Sequence, residues 1–344
     1  MADVTRRLGG IAVRAAGTPP VSQAVAAVAR HTSALRGLVG VLTYHRIVEG
    51  DLLAVTPGIG SATTRSFARQ IDDLLRGFEI VSMADLISAH EGGMRLPLRS
   101  LAITFDDGYR DFAELAWPIL RRHNVPVTLF VATGYVGGAR GAFWWDRVHA
   151  AILATPRASA ALPGTGRTAL GAPDRRVAIS GTVIRALKGL DHQTAIDSAE
   201  AIVADLCPDP PTPPILDWET LRQLASDGVT LAPHTATHPL LTRIPIDQAR
   251  REVESSIDDL RQATGTPAPV FAYPSGALTD AVAAMLPDLG IRLAFTTRRG
   301  VNDMRRTDPM RLDRINVGLR SDAAVIRAQL VAHALRVRAS GAGA

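Results

Sequence analysis

The sequence has one cysteine, Cys207, one lysine, Lys188, and few aromatic residues, 5% of 344. A lone thiol excludes an internal disulfide framework and any multi-thiolate metal site. Scarce aromatics argue against a stacking-based binder of sugars or bases, and no aromatic residues are interleaved with the arginines. All but one of the 38 basic residues are Arg, so the formal charge of +5 reads as a solvated Arg-rich surface and no nucleic-acid partner is expected. No apolar run approaches the ~18 residues of a membrane span. Arg6-Arg7 is followed by only Leu8–Val13 before Arg14 intervenes, too short for a secretory or twin-arginine signal. The chain is therefore expected in the cytoplasm, with at most a peripheral membrane contact; its oligomeric state is not legible.

What is present is enough apolar sequence, 47%, for a large core. Residues 1–38 read as a weak amphipathic helix pair split by Pro19-Pro20, with Val21, Ala24, Val25 and Val28 on one face. From Val41 onward short apolar runs alternate with amphipathic helices. Expected strands are Val41–Tyr44, Glu79–Ser82, Leu101–Phe105, Val127–Ala132, Val229–Ala232, Val270–Tyr273, Leu293–Thr297 and Arg314–Val317. Expected helices are Ser66–Arg76, Phe112–His123, Trp218–Ser226, Ile246–Thr264 and Asp280–Leu289, with Thr64 or Ser66, Asp217 and Thr279 as N-caps. Alternating βα units with continuously apolar strands imply a parallel sheet, here a distorted (β/α) barrel of seven or eight strands over 39–320. A helical insertion, 137–216, follows strand four, with a floppy middle near Pro163–Pro173 and a helical Val183–Leu206. Residues 321–344 read as a C-terminal helix and flexible tail.

Reactive groups of such barrels gather at the carboxyl ends of the strands. Those ends carry Tyr44-His45-Arg46, Asp106-Asp107-Gly108, His234-Thr235-Ala236-Thr237-His238 and Tyr273-Pro274-Ser275-Gly276. Each has a bland reading: Asp-Asp-Gly is a common turn, and a single His is often a capping or core residue. Jointly, three imidazoles and two carboxylates on one rim serve no packing purpose and have the composition of a metal site. Two His and one carboxylate leave a fourth position open, as catalytic sites do.

Thr104–Gly108 (TFDDG) and His234–His238 (HTATH) resemble the first two motifs of the NodB-type polysaccharide deacetylases, carbohydrate esterase family 4. The likeness runs in order and spacing through LAITFDDGYRDF, VPVTLFVATGYV and LAPHTATHPLL, covering roughly Val41–Val317. It implies metal-dependent hydrolysis of an N-acetyl group on an amino sugar of a glycan or glycan precursor, releasing acetate. By that resemblance Asp106 is the general base, and Asp107, His234 and His238 hold a divalent metal, zinc in most such enzymes, with cobalt or nickel as alternatives.

Two departures stand out. Phe271–Gly276 (FAYPSG) puts Ala272 where the family carries the Arg that braces the base, and Ser275 where it carries Tyr; Arg314 or Arg46 are the candidate replacements. Ser275 can still offer its backbone N–H to an oxyanion. The usual C-terminal His acid is missing from Arg314–Gly318 (RINVG), but Leu42–Ile47 (LTYHRI) resembles the strand end that supplies the acid in the permuted poly-N-acetylglucosamine deacetylase branch, making His45 the expected acid. Substrate contacts are expected from Ser275, Tyr273, Tyr109, Trp145 and Arg314. Tandem Trp144-Trp145 either stacks on sugar or anchors the insertion. The arginines between Arg298 and Arg320 are a further candidate surface for an anionic substrate. Alternatives are another amide hydrolase, an O-acetyl esterase, or a non-catalytic glycan-binding relative, the last encouraged by the missing Arg.

Overall fold

The computed structural model describes residues 32–341, so the helix pair expected within residues 1–38 lies almost wholly outside the described residues. In chain order the elements are β1 (Val39–Tyr44), β2 (Arg46–Val48), β3 (Gly60–Thr63), α1 (Thr64–Leu75), β4 (Glu79–Ile80), α2 (Met83–His90), β5 (Ser100–Phe105), α3 (Trp117–Arg122) and β6 (Val127–Val131). The insertion then contributes α4 (Trp144–Ala154), β7 (Ser159–Leu162), β8 (Gly166–Ala169), α5 (Pro173–Leu187) and α6 (His192–Leu206). The chain continues with α7 (Trp218–Ser226), β9 (Thr230–Pro233), α8 (Ile246–Thr264), β10 (Val270–Ala272), α9 (Asp280–Met285), β11 (Leu293–Arg299), β12 (Leu312–Asn316) and α10 (Ala323–Gly341).

Seven parallel strands, ordered β10-β11-β12-β1-β5-β6-β9, form a nearly closed barrel ringed by helices. The eighth expected strand is reduced to β4, which pairs only with the start of β5 and stays off the ring. No ladder joins β9 to β10. At that seam a single backbone bond, Ala268 N–H to Leu231 O at 2.9 Å, spans the gap near the amino ends.

Side-chain alternation along the strands decides what enters the barrel. Val39 and Val41, Ala102, Phe130, Ala232, Val270 and Ala272, Leu293 and Phe295, and Leu312 form one buried cluster inside. Their neighbours Leu42, Tyr44, Ile103, Phe105, Leu129 and Ile315 pack outward against the helices. Small alanines facing large phenylalanines fill the interior without overpacking. Continued by two residues on β9 and β12 and by four on β1 and β5, through Thr43 and Thr104, the inward rows reach His234, Arg314, His45 and Asp106, so the alternation that builds the core also aims the polar groups.

Local signals account for most boundaries. Thr63, one residue before the expected caps, closes a capping box with Ser66 at the start of α1. Asp217 and Thr279 cap α7 and α9 as expected. The insertion differs from expectation in two places. Its supposedly floppy middle is the antiparallel hairpin β7–β8, turned at Gly164–Gly166. The single helix expected over Val183–Leu206 is two, α5 and α6, because Asp191 caps a new helix at Thr194. The insertion has its own core, in which Leu162, Leu170, Val183, Leu187 and Val203 pack on Trp145, Val148 and Ile152.

Candidate active site

Asp106 and Asp107 follow β5, and His234 follows β9, the ends at which the inward rows run out of hydrocarbon. Asp107 Oδ1 lies 3.5 Å from His234 Nε2 and 3.4 Å from His238 Nε2. A tetrahedrally bound ion at about 2.1 Å separates its ligands by about 3.4 Å. All three residues are buried, and Asp107 Oδ1 has no hydrogen-bond partner. An orphaned buried carboxylate oxygen is costly unless something positive fills the space in front of it. His234 Nδ1–H donates to Ala272 O at 2.6 Å, which leaves Nε2 as the lone-pair nitrogen facing Asp107. Burial opposes ionisation of Asp107, but the neighbouring imidazoles of His234, His45 and His238 outweigh it and hold the carboxyl well below its usual range. Burial pushes His238 down to about 3, against the pull of Asp107, so its ring is neutral and free to ligate. The donor set therefore fits a divalent cation.

The backbone is bent to make this set. Of five non-glycine residues with positive φ among the described residues, Asp107 (78°), Thr235 (68°), His238 (56°) and Ser275 (54°) sit on this rim. For a β-branched Thr this conformation is a genuine outlier, and such strain persists only where the surroundings enforce it. Glu252 of α8 supplies the enforcement. Its carboxylate accepts from Ala236 N (3.1 Å), Thr237 N (2.7 Å) and Thr237 Oγ1 (2.6 Å). Thr235 Oγ1 accepts from His238 N at 3.0 Å.

Asp106 faces a different partner. Arg314, fully buried on β12, donates Nη1 to Asp106 Oδ1 (2.8 Å) and Nη2 to Oδ2 (2.7 Å), while its Nε donates to Thr296 O (2.9 Å). Burial, the largest influence, opposes ionisation of Asp106; the Arg314 charge, with His234 and His45, overcomes it, and the carboxyl lies below its usual range. Arg46 instead donates to Asp111 at 2.7 Å. Arg314 is thus the residue that braces Asp106, and its expected role as a substrate contact is corrected: no face of its guanidinium reaches solvent. His45, half-buried at the end of β1, is close enough for its charge to act on both Asp106 and Asp107.

Two other expected substrate contacts are also corrected. Tyr273 has outward parity on β10 and packs beneath the helices, its hydroxyl donating to Met310 O at 2.9 Å. Tyr109 is fully buried and donates to Asp146 Oδ2 at 2.7 Å, while Trp145 Nε1 donates to the Tyr109 hydroxyl at 3.1 Å. Asp146 also accepts from Thr56 Oγ1 and is pushed by burial up to about 6. Trp145 is buried, stacked on Phe143 (4.5 Å) and edge-on to the His238 ring (4.8 Å), so it anchors the insertion against a site residue. Trp144 is half-buried in the cleft that Ser275 also lines. The late arginines do not form one surface. Arg298 pairs with Asp313, Arg311 with Asp280 and Asp308, and Arg305 and Arg306 line a depression at the amino ends of the strands.

The model of the polysaccharide deacetylase family matches residues 94–294, more than half of the chain. The chain belongs to the polysaccharide deacetylase family. Among curated deacetylases it is similar to the poly-beta-1,6-N-acetyl-D-glucosamine N-deacetylase of Escherichia coli (strain K12), 42% identical over 50 residues, which is 14% of this chain and 7% of that protein. It is also similar to that of Staphylococcus epidermidis, 30% identical over 106 residues, 28% of this chain and 36% of that protein. Both matches span well under two thirds of those proteins. Two solved structures share the fold: the Streptococcus pyogenes deacetylase PplD (TM-score 0.58, 18% identity, 84% of this chain and 96% of that one) and IcaB from Ammonifex degensii (TM-score 0.55, 19% identity, 85% and 97%).

Sequence reasoning missed Glu252, Asp146 and Lys188. Glu252 and Asp146 carry no motif. Lys188 had a compositional signal, as the only lysine of the chain, that pointed to no role.

Proposed function

We propose that the protein is a metal-dependent N-deacetylase of a glycan or glycan precursor, with Asp106 as base, His45 as acid, and Asp107, His234 and His238 as metal ligands. The carrying observation is the pairing of Asp106 with Arg314 beside a buried set of two imidazoles and one orphaned carboxylate oxygen. A divalent ion held there supplies Lewis-acid polarisation of the acetamide carbonyl and an acidified water. Asp106, kept ionised by Arg314, accepts the proton of the attacking water. The Ser275 backbone N–H is assigned to the carbonyl oxygen as it gains charge. His45, half-buried at the end of β1, is assigned the proton that goes to the departing sugar amine. Acetate and the free amino sugar leave. Zinc is the metal we assign to this donor set, since two imidazoles and one carboxylate would hold it with a position left open for water. The pairing of Arg314 with Asp106 weighs against the non-catalytic reading, which rested on a missing brace.

The test is acetate release from N-acetylated oligosaccharides and sugar phosphates by metal-stripped and zinc-restored protein, beside Asp106→Asn and His45→Ala. Activity that returns with zinc and falls by about 10²–10⁴ in the variants is expected. Equal acetate release by wild type and both variants, or by stripped and restored protein, overturns the reading.

A further inference from the structure

Beside the His238 ring a cleft opens between the insertion and the rim of the barrel. Trp144, Trp145 and Lys188 form the insertion's wall, Arg243 and Ser275 the opposite one, and no aspartate or glutamate lines it. Lys188 stands at the end of α5, where the polypeptide turns toward α6. Its Nζ lies 5.5 Å from the centre of the Trp145 ring and donates to Ser275 Oγ at 3.3 Å. Among the described residues no carboxylate lies within 4.0 Å of Lys188 or Arg243.

An ammonium half-withdrawn from water is normally paired. Here its direct contacts are a π-face and one long bond to a neutral hydroxyl, both weak beside a charge-assisted bond to an anion, and the charges of Asp107 and Asp146 act on it only from beyond ion-pair distance. The free space is small, ≈ 20 Å³, about the volume that holds one water. A sugar entering the cleft must therefore displace Lys188 from Ser275, and the flexible four-carbon stem permits it. The group that takes the place of Ser275 Oγ has to satisfy the ammonium better than that hydroxyl does.

We propose that Lys188 and Arg243 form an anion-reading subsite, so that the substrate carries a phosphate on, or adjacent to, the N-acetylated sugar. Two cations flanking one opening suit the double charge of a phosphate better than a single carboxylate, and lysine serves as a point charge for it. This rests on the deacetylase reading above for which sugar is bound, and on the cleft alone for the charge. The subsite belongs to the insertion, which lets the barrel keep its chemistry while the substrate is chosen elsewhere.

The test is calorimetric binding to zinc-loaded Asp106→Asn protein, which cannot turn over, with three probes: N-acetylglucosamine, its 1-phosphate, and an N-acetylglucosamine joined to glucuronate. The phosphate is expected to bind about ten-fold or more tighter than the neutral sugar, with the advantage shrinking as salt rises. Adding Lys188→Met removes most of that preference, and Lys188→Arg keeps part of it. Equal affinity for phosphate and neutral sugar, no detectable binding, or a preference untouched by both Lys188→Met and Arg243→Met overturns the proposal. Tighter binding of the glucuronate probe than of the phosphate also overturns it. Acetate release by wild type separates the two readings. Lys188-dependent phosphate binding without acetate from any probe sinks the deacetylase and spares the subsite; acetate without charge preference does the reverse.

Discussion

Arg314 and Asp106 meet inside the barrel through two parallel hydrogen bonds, from strands separated by β1, with exposures of 0% and 2%. Removing one member of such a buried pair strands the other's charge, which costs about 3–5 kcal/mol. Arg314→Met is expected to lose stability of that order in urea unfolding, and Arg314→Lys to recover little because the fork geometry is lost. On the role proposed for Asp106 as base, the pair also sets the acid limit of activity. With Arg314, Asp106 titrates below the ordinary aspartate range, so the support its charge gives the native state is present above that range and lost as pH falls through the folded value. Without Arg314, burial dominates and the carboxyl rises. The acid limb of the kcat/KM profile should therefore move to higher pH in the variant. An unmoved limb would remove Arg314 as the brace.

Asp146 has the opposite sign. Its carboxyl is raised to about 6, so the folded protein holds a proton that the unfolded chain gives up near pH 3.8. That contribution to stability is complete below the unfolded value and lost as pH rises through about 6. Its upper bound is roughly 3 kcal/mol. Asp146→Asn should flatten the change in melting temperature between pH 4 and 7, measured against wild type. Asp111, raised to about 6 beside Arg46, contributes with the same sign and keeps some slope in the variant.

Glu252 touches no proposed metal ligand directly, yet it holds the loop that turns His238 inward. Glu252→Ala leaves the Thr237 amide and hydroxyl without their acceptor and Ala236 N with only the main-chain oxygen of residue 252, and zinc affinity measured by chelator competition is expected to fall by roughly 10–100-fold. Glu252→Gln, which retains one acceptor oxygen, should fall between. Asp106→Asn is the contrasting control: metal content stays near one equivalent while acetate release collapses.

Two glycines with similar φ should behave differently. At Gly276, φ 72°, an added Cβ would lie 2.2 Å from Thr297 Oγ1 and 2.4 Å from its backbone N; at Gly137, φ 69°, it meets nothing within 4 Å. Gly137→Ala pays only the left-handed backbone penalty, about 1–2 kcal/mol. Gly276→Ala must also displace β11 and should cost more in unfolding, with loss of activity as the Ser275 turn shifts.

The barrel and its rim were legible because period-2 burial and strand-end chemistry are local properties of short segments. Ile246–Thr264 was read to the residue, since its amphipathic pattern ends at Gly265. Asp106, Asp107, His234 and His238 stood out because two motifs kept their spacing. Tyr273 was misassigned although the same parity argument, applied from Val270 and Ala272, turns it outward. Tyr109 and Lys188 were beyond reach for another reason. Their surroundings come from the insertion, whose docking on the barrel depends on contacts such as Trp145 on His238 that no local pattern encodes. The hairpin β7–β8 was hidden by low β-propensity in SAAL and GRTA, and its pairing is recovered only by packing on α5 and α6.

The imidazole of His234 does one more thing. It crosses the unladdered seam and bonds to Ala272 on the far side, near the carboxyl ends, while Ala268 and Leu231 join the same two edges at the opposite end. The wall of the barrel is thus riveted at this point by a side chain in place of a ladder. Whatever draws His234 Nε2 tight also stiffens the join between β9 and β10, and whatever loosens the ring lets the seam breathe. Amide hydrogen exchange along β10 should consequently slow when metal is bound, which would tie the closure of the barrel wall to the occupancy of the site.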